Sequence, residues 1–303
     1  MDSFLPLKTR IGHATLKAAR TGCTVLLFDA PAVCGVQVAG GAPGTRDTDM
    51  LDPSCLVERV NAILLTGGSA FGLASADGVM KFLAERKTGF KVGDDVVPIV
   101  PGAVIYDRRV GKRAAPTAKD GYRACKNAGY SIDDFGAVGA GCGALTGKFS
   151  AKLTPGMGGM AAVCLPTPSG ALVGAVVVVN PFGNVVDPRT GEIVSGATDK
   201  KGMKVPFDGK NIRRSFGENT VIGSVVTDAA LTKAQAKRVA MAAHDGIART
   251  VSPAHTLYDG DVLFAASTGK RKADLNIICH WAALAVESAI LKAVSAKTGT
   301  RVK

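Results

Sequence analysis

The 303-residue sequence has little that points to metal or redox chemistry. Its seven cysteines, Cys23, Cys34, Cys55, Cys125, Cys142, Cys164 and Cys279, are an odd and widely spaced set with no C-x-x-C pair. Neither a disulfide framework nor a cysteine zinc site is expected. Most stand beside Gly, Val, Leu or Ile and read as small buried hydrophobes. The four histidines, His13, His244, His255 and His280, show no i,i+4 pairing; His280, inside an apolar stretch, reads as a core histidine. Aromatic residues make up only 5% and do not interleave with the basic residues, which excludes a base-stacking platform. Nucleic acid is therefore not an expected partner in spite of a net charge of +12, whose densest groups lie at 108–113, 200–214 and 270–272. The most apolar segment, 277–291, carries His280 and Glu287 and is shorter than a bilayer-spanning helix. The opening MDSFLPLKTRIGHATL lacks an uninterrupted apolar core. A cytoplasmic protein with no membrane partner is the expectation.

Familiar glycine motifs nearly fit and fail on a required residue. In GCGALTGKF, Phe149 follows Gly-Lys where a P-loop needs Ser or Thr for magnesium, and Cys142 replaces the first glycine. In GGSAFG, Phe71 breaks the nucleophile elbow around Ser69. GAVGAGCG has no G-x-G-x-x-G between a strand and a helix, so no dinucleotide cofactor is expected.

What is present is a compact chain, 47% hydrophobic and 20% charged, with 37 glycines placed at element ends. Hydrophobic periodicity predicts strands at 24–28, 61–65, 97–100, 172–180, 220–227 and 262–266. Helices are predicted after the TGGSAFG turn, in a short segment within 108–130, at 233–249 and at 276–295. The run LVGAVVVVN has the β-branched continuity of a strand covered on both faces. Residues 182–219 read as a long exposed connection. Strands and helices mix without strict alternation, which fits a layered α/β sandwich as well as a doubly wound sheet.

Two short stretches carry chemistry. In YDGDVLF, Asp259 and Asp261 flank one glycine before a strand, as an Asp-Gly turn or as a carboxylate pair. In GENTVIGSVV a polar turn becomes a strand at Thr220, which is either a residue favouring extended backbone or a nucleophile exposed by cleavage before it. A free α-amine has a pKa of roughly 7.7–8.0 and can take the hydroxyl proton without a histidine.

Seven blocks occur together and in order: GGAPGTRDTDMLDP, AILLTGGSAFGLASADGVMKFL, VPIVPGAVIYD, GAVGAGCGALTGK, VGAVVVVNPFGNVVDP, NTVIGSVVTDAAL and YDGDVLFAASTG. Together they closely resemble the DmpA-type aminopeptidase and nylon-oligomer hydrolase family. The resemblance implies an αββα four-layer sandwich of the N-terminal-nucleophile type, a single domain over 1–303. It also implies a self-processing amide hydrolase cut between Asn219 and Thr220 into chains 1–219 and 220–303. Thr220 would be the nucleophile, first on the Asn219 carbonyl and then on substrate amides. Asp259 and Asp261 would orient and charge-balance its amine. Asn180 would bind the oxyanion, Lys148 would act on the nucleophile's oxygen, and Tyr106 would lie against substrate. Relatives with Lys-Gly-Gly where this chain reads LTPGMGG leave Lys152 as an alternative cation. Small peptides, amino-acid amides and linear aminocaproyl oligomers are the implied substrates, a homotetramer the implied assembly, and no metal or cofactor is implied. An acyltransferase of the ornithine acetyltransferase type, or a non-catalytic basic binding protein, are the alternatives.

Overall fold

The computed structural model describes residues 3–209 and 218–295. Nine strands of the described residues form one sheet: β1 Thr9–Leu16, β2 Thr21–Val38, β3 Thr45–Arg46, β4 Arg59–Thr66, β5 Gly102–Val104, β6 Gly159–Pro166, β7 Leu172–Asn180, β8 Thr220–Ala229 and β9 Val262–Arg271. The order is β6-β7-β8-β9-β2-β4-β5-β3, with β1 also on β2. Neighbours are antiparallel except for β8 with β9 and β4 with β5.

The sheet becomes two layers because β2 changes neighbours along its length. Its first part pairs with β1 and β4, its last part with β9, and the register shifts between Leu27 and Ala32, where Asp29, Ala30 and Pro31 are exposed. Side chains alternate across a strand, and β2 follows this rule through the bend. Leu26, Phe28, Ala32 and Cys34 all enter the inner core, together with Val176, Val178, Ile222, Val226, Val262 and Phe264 from the other half. Cys23, Val25 and Leu27 face outward onto helices α1, Ser75–Ala84, and α2, Ala118–Lys126. Val33, with the odd-numbered residues of β7, faces α3, Lys233–Thr250, and α4, Leu275–Ser295. The layers therefore run helix, sheet, sheet, helix, which is the expected αββα arrangement.

All nine residues of β7 are buried, as a strand clad on both faces requires. Three expectations need correction. The proposed strand at 97–100 is replaced by strands Asp95–Val97 and Gly102–Val104, because Pro98 and Pro101 have no N–H for a ladder. The connection after β7 is less open than expected: Phe182, Asn184, Val185 and Ala197 are buried, and strands Asn184–Val186 and Ile193–Ser195 pair within it. Its 210–217 part, with Lys210, Arg213 and Arg214, lies outside the described residues.

His280 is exposed and edge-on to Trp281, because α4 buries the Ile278, Ala282 and Val286 side instead. Helix α4 has the bounds expected to within one residue, and at 21 residues, longer than the apolar segment 277–291 alone, it could by length and composition cross a membrane. In this fold its apolar face completes a core layer. Five cysteines are buried as expected; Cys55 is exposed and Cys279 intermediate.

Candidate active site

Three strand ends converge on one point. Antiparallel register puts Asn180, the last residue of β7, directly opposite Thr220, the first of β8. Pro181 cannot extend the ladder, so β7 stops there. The parallel neighbour β9 begins at Val262, in register with Ile222, so Asp261 arrives beside the start of β8. Asn180, Asn219, Thr220, Asp259 and Asp261, far apart in sequence, are all buried here.

The chain is continuous across Asn219–Thr220, and the Thr220 hydroxyl donates to the Asn219 carbonyl. The same carbonyl accepts the Gly260 N–H at 2.8 Å. The glycine is required for space: a Cβ on residue 260 would sit 2.5 Å from the Ala42 carbonyl oxygen and 3.0 Å from Thr220 Oγ1. This is the physical content of the D-G-D spacing. Asp261 accepts the Val221 N–H at 2.6 Å through one oxygen and His255 Nδ1 at 2.7 Å through the other. Asp259 accepts the Phe182 N–H at 3.0 Å, and its second oxygen takes the Thr256 N–H at 3.0 Å and hydroxyl at 2.6 Å. Burial, then the charge of Asp261, raises the Asp259 carboxyl to about 6.

Residue 218 is clamped from the other side. Its carbonyl accepts Lys148 Nζ at 2.6 Å and Asn180 Nδ2 at 3.1 Å. The Glu218 carboxylate pairs with Arg109. Asn180 also reaches the Tyr106 carbonyl at 3.3 Å and accepts the Leu145 N–H at 3.0 Å, so its amide orientation is set by three partners. Lys148 Nζ adds a bond to the Asn180 carbonyl at 2.8 Å.

The lysine arrives on a tight turn at Gly147, whose φ of 65° suits glycine. Burial pulls the Lys148 amine down to about 7, opposed by the nearby charges of Asp259, Glu218 and Asp107. Lys152 is exposed, so of the two candidate cations the fold brings Lys148 to residue 218. Tyr106 is half-buried and meets the cluster through its backbone carbonyl. Ser69 lies in a turn with φ of 59°, its N–H on the Ile105 carbonyl.

Several neighbours escaped the sequence reading. Arg109, Glu218 and Asp107 have no periodic signature; Asp107 is buried, which raises its carboxyl, and accepts the Gly68 N–H at 2.8 Å. His255 and Thr256 had one available signal, their position in AHTLYDGD beside both aspartates. Among the described residues no group of three or more His, Cys, Asp or Glu side chains is placed to hold a metal ion.

The fold matches solved structures. An L-aminopeptidase D-Ala-esterase/amidase from Ochrobactrum anthropi, described as a variant of the Ntn hydrolase fold, superposes with a TM-score of 0.72 at 18% identity, over 94% of this chain and 83% of that one. A Burkholderia sp. beta-aminopeptidase gives 0.68 at 22% identity, over 94% and 83%. The fold is that of the Ntn-type aminopeptidases.

The model of peptidase family S58 matches residues 8–303, and the chain belongs to that family. An uncharacterized aminopeptidase of Mycobacterium tuberculosis is 44% identical over 280 residues, 86% of this chain and 79% of the relative. A 6-aminohexanoate-oligomer endohydrolase of Paenarthrobacter ureafaciens is 31% identical over 271 residues, 85% and 72%. The protein is a hydrolase of peptide or amide bonds.

Proposed function

We propose that this hydrolase makes its own nucleophile by cutting Asn219–Thr220, and that Thr220 then attacks small amides. The observation that carries the reading is the convergence on one buried peptide bond: the Thr220 hydroxyl and the Gly260 N–H on the Asn219 carbonyl, with Lys148 and Asn180 on the carbonyl before it. In processing, Thr220 Oγ forms a bond to the Asn219 carbonyl carbon, the C–N bond breaks, and the nitrogen leaves as the Thr220 amine. Water then hydrolyses the ester. In turnover the freed amine accepts the hydroxyl proton as Oγ bonds to the substrate carbonyl carbon, the amide C–N bond breaks with that proton passing to the leaving amine, and water then hydrolyses the acyl-enzyme ester, releasing the acid and restoring the hydroxyl. Asp261 keeps the start of β8 in place through Val221, and Asn180 is positioned to place its N–H toward a developing oxyanion once residues 218 and 219 move aside.

The substrate class is an amide whose acyl part fits where Glu218 and Asn219 now lie: a small peptide, an amino-acid amide or an aminohexanoate oligomer, the relatives being named as aminopeptidase and as aminohexanoate-oligomer hydrolase. The reading carries with it a cytoplasmic location and a homo-oligomer. Intact mass spectrometry of wild type beside Thr220→Ala tests it. Wild type should separate into 1–219 and 220–303 and the variant should stay whole and inactive. A wild-type chain that remains uncut while hydrolysing amides would place the nucleophile elsewhere. Turnover of an amino-acid anilide against aminohexanoate oligomers then selects the substrate.

A further inference from the structure

One pair of titratable groups, a buried His244 and a partly buried His255, touches this site without taking part in the scheme above. His255 is bound to Asp261 twice, through Nδ1 at 2.7 Å and through its backbone N–H at 3.3 Å. Its ring meets His244 edge-on, with centroids 4.9 Å apart. His244 comes from the middle of α3 and is anchored in turn by Nε2 to the Gln37 carbonyl of β2 at 3.0 Å. A chain of contacts thus runs from β2 through His244 and His255 to Asp261, and from Asp261 to the N–H of the residue after Thr220.

Resting on the self-processing reading, we infer that His255 is a positioning residue for the nucleophile: it fixes the Asp261 carboxylate against Val221 and, when protonated, offsets the negative charge beside the Thr220 amine. Geometry supplies the first part. A carboxylate has two oxygens, and Asp261 divides them between strand and imidazole, so losing the ring leaves only the 3.3 Å backbone contact on the second oxygen and lets the carboxylate rotate more readily away from Val221. Electrostatics supplies the second. Around His255 the ionisable groups are Asp261 and Asp259 on its own segment and His244 and Asp245 on α3. Burial opposes the charge on His255, but the Asp261 hydrogen bond and charge outweigh it, so its pKa is raised. His244 is driven by burial to about 4 and stays neutral beside it. Of the two imidazoles, the one that touches Asp261 is therefore the one that carries charge.

The sign of the effect is fixed. Carboxylates near an amine favour its protonated, inactive form. An imidazolium on Asp261 cancels part of that pull and leaves more of the Thr220 amine neutral at a given pH. His255→Asn keeps a donor close to the backbone and suits the left-handed φ of 53° at this position, but it carries no charge. In this variant the acid limb of kcat/KM should move up by about one pH unit, with normal self-cleavage and near-normal rates above the limb. His255→Ala removes the donor as well, so kcat should fall on the order of tenfold with a smaller change in KM, the scale of losing a supporting contact behind a functional group.

The measurement is kcat and KM from pH 5 to 9 for wild type and both variants, on an amide that wild type cleaves, with intact masses recorded for each. An unshifted limb in His255→Asn overturns the proposal, and so does an undiminished kcat in His255→Ala. Should the alanine variant fail to fold, the limb of the asparagine variant decides alone. Wild type that neither splits at Asn219–Thr220 nor turns over an amide brings down this inference together with the function it rests on, whereas a splitting, active wild type with an unmoved limb brings down this inference only.

Discussion

Lys148 shows what burial does to one residue and gives a sharp test. Its ammonium is enclosed among Asn180, Glu218 and Asp259, and burial holds its pKa at about 7. In the unfolded chain a lysine keeps its proton to roughly pH 10.4. Between pH 7 and higher values the unfolded state binds more protons at this position than the folded state, so stability rises with pH. The buried thiols of Cys23, Cys34 and Cys125, pushed up to about 12, act in the opposite sense once free thiols ionise near pH 8.5. His255 and Asp259, whose pKa values are raised, also act in the opposite sense near neutrality, so the Lys148 contribution between pH 7 and 8 is read as a difference between variants. Urea midpoints of uncleaved protein, made with Thr220→Ala, should change with pH more favourably across this window than those of the same protein with Lys148→Met added. An identical slope in the two would mean that Lys148 titrates normally. With Thr220 in place, Lys148→Met should also slow the proposed self-cutting, because the Glu218 carbonyl loses its 2.6 Å donor.

At the same scale, legibility in the sequence was uneven. Thr220 and the D-G-D pair stand out because each sits at a turn-to-strand junction and because the surrounding blocks are specific. Asp107, Arg109 and His255 do not, since their role depends on which loops lie next to residue 218 or Asp261, and no local periodicity encodes that.

Among the elements, those buried on two faces were readable and those of small or interrupted composition were not. The LVGAVVVVN run gives the bounds of β7 as they are, because Leu172 to Val179 must be non-polar to satisfy two cores and Asn180 with Pro181 closes the run. β6, GMAAVCLP, was missed: small residues and a flanking glycine weaken its strand pattern, while pairing with β7 holds it extended. Helix α3 was readable from its periodicity, and the structure shows what fixes its start. Thr232 accepts the Gln235 N–H at 3.2 Å and Gln235 reaches back to the Thr232 N–H at 2.9 Å, a reciprocal capping box. Thr232→Ala should cost about 1 kcal/mol in chemical denaturation and leave turnover unchanged, since the cap lies outside the catalytic cluster. A loss several times larger would show that α3 is nucleated elsewhere than its N-terminus.

For the whole molecule, strand order decides what the proposed self-cutting can do. The fragment from Thr220 onward supplies β8 and β9, and these lie between β7 and β2, both from the larger fragment. It also supplies α3 and α4, the outer layer over that half of the sheet. Separation would open two ladders and strip both faces of the inner strands. The cut protein should therefore run as two bands under denaturing conditions and as one particle in size-exclusion light scattering. That particle should have a mass that is a multiple of 31.0 kDa, and exposed Leu56, Phe71 and Leu257 are candidate contacts between copies. Fragments eluting apart would contradict the topology, and a processed single copy would remove the oligomer from the reading.

The sequence alone determined a mixed α/β class, the double-sided burial of β7 and the position of the Asn219–Thr220 junction. Each is written in local composition: alternation, β-branched runs and turn residues act over a few neighbouring positions. Only the tertiary structure decided that the inner sheet is one ribbon bent through β2, that Lys148 rather than Lys152 reaches residue 218, and that His244 and His255 meet behind Asp261. These depend on strand order and on contacts between residues far apart in the chain, which pairing geometry and core packing select and no short window of sequence contains.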